Sequence, residues 1–158
     1  MKEQYEYIEK QFRDELNREE GLHKKAQIYF SIASLVLTAL LFKLKDIESI
    51  LSDLPNSCMP KVFLIISIVF IFSSLFFIGW SIKIHNYKRP SNLKTLRSEA
   101  RERISTEKFY SHRIIDFKKA MEKNIPVNDS RALKLKISLI LLLTGYLSSL
   151  IFIITIIL

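Results

Sequence analysis

The chain has 158 residues, of which 49% are hydrophobic and 25% charged, and its formal net charge at pH 7 is +8. This length allows one domain, or one small membrane module with a soluble segment attached. The single cysteine, Cys58, excludes an internal disulfide, and three glycines are too few for a phosphate-binding glycine-rich loop. No strand-like alternation exceeds four residues, so the expected fold class is all-α.

Residues 1–25 are predicted to form an amphipathic N-terminal helix, helical over about Lys2–Glu20. Apolar side chains recur along it at spacings of three and four residues, which places them on one face of an otherwise charged helix. These side chains are Tyr5, Ile8, Phe12 and Leu16. Gly21 is expected to break or bend this helix before Lys24 and Lys25 reach the membrane surface.

Three long apolar segments predict three transmembrane helices. They contain no charged residue over 17, 21 and 22 residues, and a bilayer core of roughly 30 Å needs about 20 helical residues. The predicted spans are residues 26–44, 62–82 and 137–158, with residues 45–61 as the outer loop. A cleaved signal peptide is the alternative for the first segment. It fits poorly, because the 25 residues before this segment are too many for the basic start of a signal peptide and include seven acidic residues. No small-residue cleavage site follows the segment.

Residues 83–136 form a basic central segment that is predicted to be helical. Helices are expected over about Ser91–Arg103 and Thr106–Lys123, since each range can align apolar residues along one stripe. Ser105 or Thr106 is a suitable N-cap for the second helix, because a hydroxyl accepts from the free amides of a first turn.

Proline positions predict where the helices end. A proline lacks the amide donor that a helix interior uses, so Pro126 is expected to be a boundary before the third span. The Asn-Asp-Ser run at 128–130 is then expected to cap the helix that continues into that span.

The distribution of basic residues predicts an orientation. Six Lys/Arg lie in the N-terminal 25 residues, three in residues 43–61 and fifteen in residues 83–136. Short segments rich in Lys and Arg stay cytoplasmic. The N-terminus and the central segment are therefore expected inside, with the 43–61 loop and the C-terminus outside.

The uncharged stretches of the predicted spans, residues 26–42, 62–82 and 137–158, contain no Asp, Glu, His, Lys or Arg. Catalysis, proton relays and charge-driven transport within a bilayer depend on such ionisable groups. We therefore expect no catalytic residue, no metal site and no cofactor, and the protein is expected not to be an enzyme.

The central segment carries fifteen basic and six acidic residues. Three interpretations are open: attachment to anionic lipid, nucleic-acid binding without a recognisable module, and binding of a phosphate-bearing ligand by clustered arginines. No specific nucleic acid is expected as a partner. The candidate contacts for an anionic ligand or a lipid headgroup are Arg97, Arg101, Arg103, His112 and Arg113.

Small polar residues recur at helical spacing within the spans. Small side chains let helices approach closely, and hydroxyls can bond across the contact. They serve either intramolecular packing of the three spans, or a homo-oligomer whose hydroxyl faces meet or line a pore. The candidate interhelical or pore-facing residues are Ser31, Ser34, Thr38, Ser74, Gly145 and Ser149.

The layout resembles a group of small bacterial membrane effectors. The likeness rests on Gly-Leu-His-Lys-Lys-Ala-Gln-Ile-Tyr-Phe at 21–30, Tyr-Lys-Arg-Pro-Ser at 87–91 and Asn-Asp-Ser-Arg-Ala-Leu-Lys-Leu-Lys at 128–136. In this arrangement the chain resembles the membrane effectors of Pycsar anti-phage systems and, more loosely, the SLATT effectors found beside nucleotide-signalling enzymes. The resemblance implies a bacterial inner-membrane protein that responds to a cyclic pyrimidine nucleotide made by a partner cyclase and then compromises the membrane.

The resulting hypothesis is a regulated, oligomerising inner-membrane effector of anti-phage defence that permeabilises or depolarises the membrane on a cytoplasmic signal. Two alternatives stay open at this point. A phage holin would also be small, three-span and basic inside, and would need no trigger. A non-catalytic structural subunit of a larger membrane complex would co-purify with a partner and would not be toxic.

Overall fold

The computed structural model describes residues 1–43, 49, 58–82, 88–90 and 105–157. Three helices make up this part of the chain: α1 (Lys2–Phe42), α2 (Cys58–Ile82) and α3 (Thr106–Ile157). No strand occurs among the described residues. Each helix includes a stretch that is long and apolar enough to cross a membrane. The predicted all-α fold with three candidate spans is therefore confirmed.

Helix α1 runs through Gly21 without interruption, so the predicted break there is wrong. A single glycine inside a helix costs only about 1 kcal/mol relative to alanine. Regular helix on both sides outweighs that cost. The amphipathic N-terminal helix and the first apolar segment are consequently one element.

Helix α3 likewise runs through Pro126, so the predicted boundary at this proline is wrong, as is the predicted cap at 128–130. An interior proline costs about 3 kcal/mol. Side chains on both sides of it are engaged with other parts of the chain, which offsets that cost. Asn124 exchanges two hydrogen bonds of 3.0 Å with the backbone of Lys88, and Asn128 donates to the carboxylate of Glu15.

The start of α3 agrees with its predicted cap. The helix begins at Thr106, and the carbonyl of Ser105 accepts the amide of Phe109 at 3.0 Å. Ser105 is therefore the N-cap residue. The helix predicted over 91–103 lies outside the described residues, as does the predicted extension of the first span to Leu44.

The chain divides into two compact units. Unit 1 comprises Met1–Leu22 and Ile84–Ser130, and unit 2 comprises His23–Lys83 and Arg131–Leu158. Helices α1 and α3 each contribute residues to both units, whereas the described part of α2 belongs to unit 2.

Unit 1 has an aromatic core. Phe12, Phe117 and Ala120 are buried, and Tyr5, Ile8 and Met121 pack against them. The Phe12 and Phe117 ring centroids lie 5.2 Å apart, and those of Tyr5 and Phe117 lie 5.9 Å apart. The predicted apolar stripe of α1 is therefore confirmed over its first three residues.

The fourth residue of the predicted stripe, Leu16, is 37% exposed and does not join the buried cluster of unit 1. The steps from Tyr5 to Ile8 and Phe12 are three and four residues, and the next step of three reaches residue 15. Glu15 occupies that inward position because its carboxylate accepts a hydrogen bond from the buried amide of Asn128.

Unit 2 is a three-helix packing arrangement. Ala33 of α1, Ile71 of α2 and Leu142 of α3 form one buried cluster, and Leu64 with Phe152 forms a second. The buried residues of α2 follow one another at alternating steps of four and three. They are Pro60, Leu64, Ser67, Ile71, Ser74, Ile78 and Ser81. An average step of 3.5 residues is the repeat of coiled coils, so α2 buries one continuous line of side chains.

Removing the central ring of unit 1 is expected to loosen its helices. Phe117→Ala should cost about 3–5 kcal/mol, because the ring is buried and contacts two other rings. Amide hydrogen exchange over residues 5–20 in the reconstituted protein should then accelerate at least about a hundredfold. Tyr7→Ala is the matched control, since Tyr7 is 62% exposed. Equal exchange in both variants would contradict the assignment of Phe117 to the core.

Candidate functional site: a polar seam between two apolar helices

Helices α2 and α3 face each other through small and polar side chains. On α2 these are Ser67, Ser74 and Ser81, each seven residues from the next and each at most 1% exposed. On α3 the corresponding residues are Arg131, Ser138 and Gly145, also seven residues apart. We call these six residues, together with Ser149, the polar seam.

The two series pair in opposite directions along the chain. The backbone carbonyl of Ser81 accepts from Arg131, and the Ser74 hydroxyl donates to the Ser138 carbonyl at 2.8 Å. The carbonyl of Ser67 lies beside Gly145. Every seven-residue step towards the start of α2 is thus matched by a seven-residue step towards the end of α3. The seam is therefore an antiparallel heptad pairing in a single register.

The hydroxyls at the Gly145 end of the seam form a short chain. The Oγ atoms of Ser67 and Ser149 lie 2.5 Å apart, and Ser149 donates to the Gly145 carbonyl at 3.1 Å. Since Ser149 has one proton to donate, Ser67 is the donor in the contact between the two hydroxyls. The Ser67 hydroxyl therefore bonds to a side chain of α3, that of Ser149, whereas the Ser74 hydroxyl bonds to the backbone of α3 at Ser138.

The two helices approach each other closely at Gly145. A Cβ at this position would lie 2.7 Å from Cγ1 of Ile71, and 3.2 Å from both the Ile71 nitrogen and the Ser67 carbonyl oxygen. Two of these three atoms are backbone and cannot rotate away. A side chain larger than hydrogen would force the helices apart here.

Arg131 closes the other end of the seam. Its Nε donates to the Ser81 carbonyl at 3.0 Å, one residue before α2 ends at Ile82. The last carbonyls of a helix lack intrahelical donors and carry a partial negative charge. A buried guanidinium, 6% exposed, satisfies one of them and stabilises the end of α2 electrostatically.

The chemistry of the seam is that of packing. Its described hydroxyl contacts run to carbonyl oxygens or to another hydroxyl, and Ser81 and Ser138 bond to carbonyls three residues earlier in their own helices. Within the described residues, no buried side-chain nitrogen or oxygen is without a hydrogen-bond partner. Each contact of this kind contributes about 0.6–1 kcal/mol in a membrane environment. Three of the described hydrogen bonds cross from one helix to the other, two through serine hydroxyls and one through Arg131.

The structure brings together three of the six candidate interhelical residues, namely Ser74, Gly145 and Ser149. The other three lie on α1 and are not part of the polar seam. Ser31 and Thr38 are exposed, Ser34 is partly buried, and the Ser31 hydroxyl donates to the Gln27 carbonyl of its own helix. The inward side of α1 in unit 2 carries Ala26 and Ala33 instead.

Sequence reasoning missed the seam roles of Ser81, Arg131 and Ser138. The seven-residue spacing of the α2 serines could have predicted that they share one face of the helix, as could the same spacing from Arg131 to Gly145. The spacing could not predict which residue of one series contacts which residue of the other, because two heptad series can be aligned at several registers.

The candidate anionic-ligand residues have separate locations. Arg97, Arg101 and Arg103 lie outside the described residues. His112 is exposed, whereas Arg113 is 8% exposed, with its guanidinium 5.8 Å from the Phe109 ring centroid and 3.9 Å from the Asp116 carboxylate. Arg113 is thus engaged within unit 1.

Unit 1 also carries a shallow groove of about 380 Å³. Its lining includes Glu3 and Lys118, whose charges are opposite, and the exposed ring of Tyr7. A groove with balanced charge does not favour a phosphate-bearing ligand.

Two ionisable side chains of unit 1, Tyr5 and Arg18, have pKa values shifted by their surroundings. Burial raises the pKa of the Tyr5 phenol above its ordinary value, and a hydrogen bond to Glu9 acts in the same direction. Arg18 donates to Asp129 at 2.6 Å, and this bond raises the pKa of the guanidinium. Arg18 and Asp129 are substantially exposed, so their ion pair contributes at most about 1 kcal/mol.

Comparison of the chain with protein-family models, with curated proteins and with solved structures gives no match.

Adding one methyl group at Gly145 is expected to destabilise unit 2. Gly145→Ala should lower the free energy of unfolding by about 1–3 kcal/mol, because the added carbon meets backbone atoms of α2. Gly79→Ala is the control, since nothing lies within 4 Å of a Cβ at Gly79. Unfolding of both variants in mixed micelles, followed by circular dichroism, gives the comparison. A Gly145→Ala variant as stable as Gly79→Ala would contradict the close approach.

The register of the seam can be tested by cross-linking in membranes. In a Cys58→Ser background, the pair S67C and S149C should form a disulfide on mild oxidation, because the native hydroxyls lie 2.5 Å apart. The pair S73C and S149C is the control, since Ser73 is the neighbour of the seam residue Ser74 and lies one residue off the heptad line. A mobility shift in non-reducing gels measures the product. Efficient cross-linking of the control pair would mean a different register.

Proposed function

We propose that the chain is a regulated effector of bacterial anti-phage defence in the inner membrane. In this proposal it assembles into a homo-oligomer and permeabilises or depolarises the membrane on a cytoplasmic signal, for which a cyclic nucleotide from a partner cyclase is the leading candidate. The observation that carries the proposal is the polar seam, in which serine, glycine and arginine take the positions of larger apolar side chains.

The seam supports rearrangement on physical grounds. Lipid chains are as apolar as leucine, so helices in a bilayer associate through packing and hydrogen bonds without a hydrophobic driving force. Contacts of about 0.6–1 kcal/mol each can be exchanged, one by one, for the same contacts with another copy. Hydroxyls released from the seam could line a water-filled path, which leucines could not do.

The membership of the helices in the two units supports regulation. Helices α1 and α3 each supply residues to unit 1 and to unit 2. A signal that rearranges the N-terminal part of α1 against α3 therefore acts on helices that also build the apolar unit. A cytoplasmic ligand or partner that binds unit 1 could therefore act on the spans through these continuous helices, without a catalytic step.

The orientation within this proposal follows the basic residues. The N-terminus and residues 83–136 would face the cytoplasm, with 45–61 and the C-terminus on the outside. The partners would be membrane lipid, further copies of the chain and the signalling enzyme, with no specific nucleic acid.

Depolarisation in cells tests the proposal. The chain is expressed with and without an inducible pyrimidine cyclase, and a membrane-potential dye is followed. The potential should collapse only when both are present. Collapse on expression of the chain alone would instead identify a holin-like pore former. No collapse under any trigger, with stable co-purification of one partner, would identify a structural subunit.

A locked seam provides the control specific to the proposed mechanism. The S67C and S149C pair, oxidised before induction, should block triggered depolarisation, and a reductant should restore it, because the disulfide prevents α2 and α3 from separating. The S73C and S149C pair should depolarise normally under both conditions. Full activity of the cross-linked protein would show that the seam does not open during the response.

A further inference from the structure

One lysine and the single tryptophan of the chain meet at the end of unit 2 where the sequence changes from charged to uncharged. Trp80 lies two residues before α2 ends, and Lys134 lies shortly before the uncharged stretch that begins at residue 137. The ammonium of Lys134 is 4.6 Å from the centroid of the indole ring, which is a cation–π contact. Both side chains are therefore at the level where a bilayer changes from hydrocarbon to headgroups.

Below this contact an aromatic strip follows α2 into the apolar region. Phe72, Phe76 and Trp80 follow one another at four-residue steps and are 66%, 64% and 48% exposed. The ring centroids of Phe76 and Trp80 lie 6.0 Å apart. These rings point away from the polar seam, so they form a surface for an acyl chain.

We propose that Trp80 and Lys134 form the headgroup site of a bound anionic phospholipid, whose acyl chain lies along Phe72 and Phe76. A lysine held over a ring retains N–H donors on its far side, and these suit phosphate oxygens. The site is assigned from unit 2 alone and does not depend on the effector role.

Charge favours an anionic over a zwitterionic lipid at this site. No acidic residue occurs in α2 or in the chain after Asp129. The quaternary ammonium of a choline headgroup binds well to an indole face, but Lys134 already occupies that face. A phosphate group with no compensating cation of its own is therefore the better ligand.

Trp80 makes the site directly measurable, because it is the only tryptophan in the chain. The full chain is reconstituted in phosphatidylcholine vesicles that contain a fixed minor fraction of phosphatidylglycerol, and bromine is placed on the acyl chains of one lipid or the other. Bromine quenches indole fluorescence at contact. Quenching should show a preference for phosphatidylglycerol of about fivefold over its mole fraction, the factor expected for one basic residue near a membrane surface.

Two variants separate this site from general surface attraction. Lys134→Gln should reduce the preference to near onefold, whereas Lys136→Gln should leave it close to fivefold, because the exposed Lys136 is two residues further along α3. Equal quenching by the two lipids in the unmodified chain would overturn the proposal. An equal loss of preference in both variants would also overturn it, since the attraction would then come from the overall basic surface. The unmodified chain decides the first point even if a variant fails to fold.

Discussion

The close approach of α2 to α3 at Gly145 is the constraint on which unit 2 depends. With Ile71 and Ser67 in van der Waals reach of the glycine, the two helices are near enough for serine hydroxyls to span the gap. Shorter side chains than leucine can then bridge the helices at each heptad step, and the Arg131 side chain reaches the end of α2. Helix α1 adds to this pair through Ala33, which shares a buried cluster with Ile71 and Leu142. Small residues therefore fix the spacing, and polar contacts fix the register.

Unit 1 is held by different physics. Its core contains the Tyr5, Phe12 and Phe117 rings, whose removal from water lowers the free energy of the folded state. Its buried amide, Asn128, is 0% exposed and donates to Glu15, so a polar group determines which residues of α1 and α3 face each other. The same two helices thus use a hydrophobic core in unit 1 and small-residue packing in unit 2. Burial of aromatic rings suits the charged, water-compatible sequence of unit 1, and small-residue packing suits the apolar sequence of unit 2.

The sequence predicted what depends on local composition and failed where long-range contacts decide. Uncharged stretches of span length identified the three apolar helices, and the three-and-four spacing of Tyr5, Ile8 and Phe12 identified the inward face of α1. Pro126 was misread because its local cost is offset by side chains bonded to residues far away in sequence, which no local pattern reveals. Ser74, Gly145 and Ser149 were selected for their size and spacing, whereas their actual partners required the antiparallel register.

The bond between Asn128 and Glu15 has a consequence for the time course of synthesis. Its two residues are separated by 113 positions in the chain. A ribosome that adds about 5–20 residues per second leaves α1 waiting roughly 6–20 seconds for its partner. During that interval the inward carboxylate of Glu15 lacks its Asn128 partner. The contact that aligns α1 with α3 in unit 1 therefore forms late in synthesis, after most of α1 has left the ribosome.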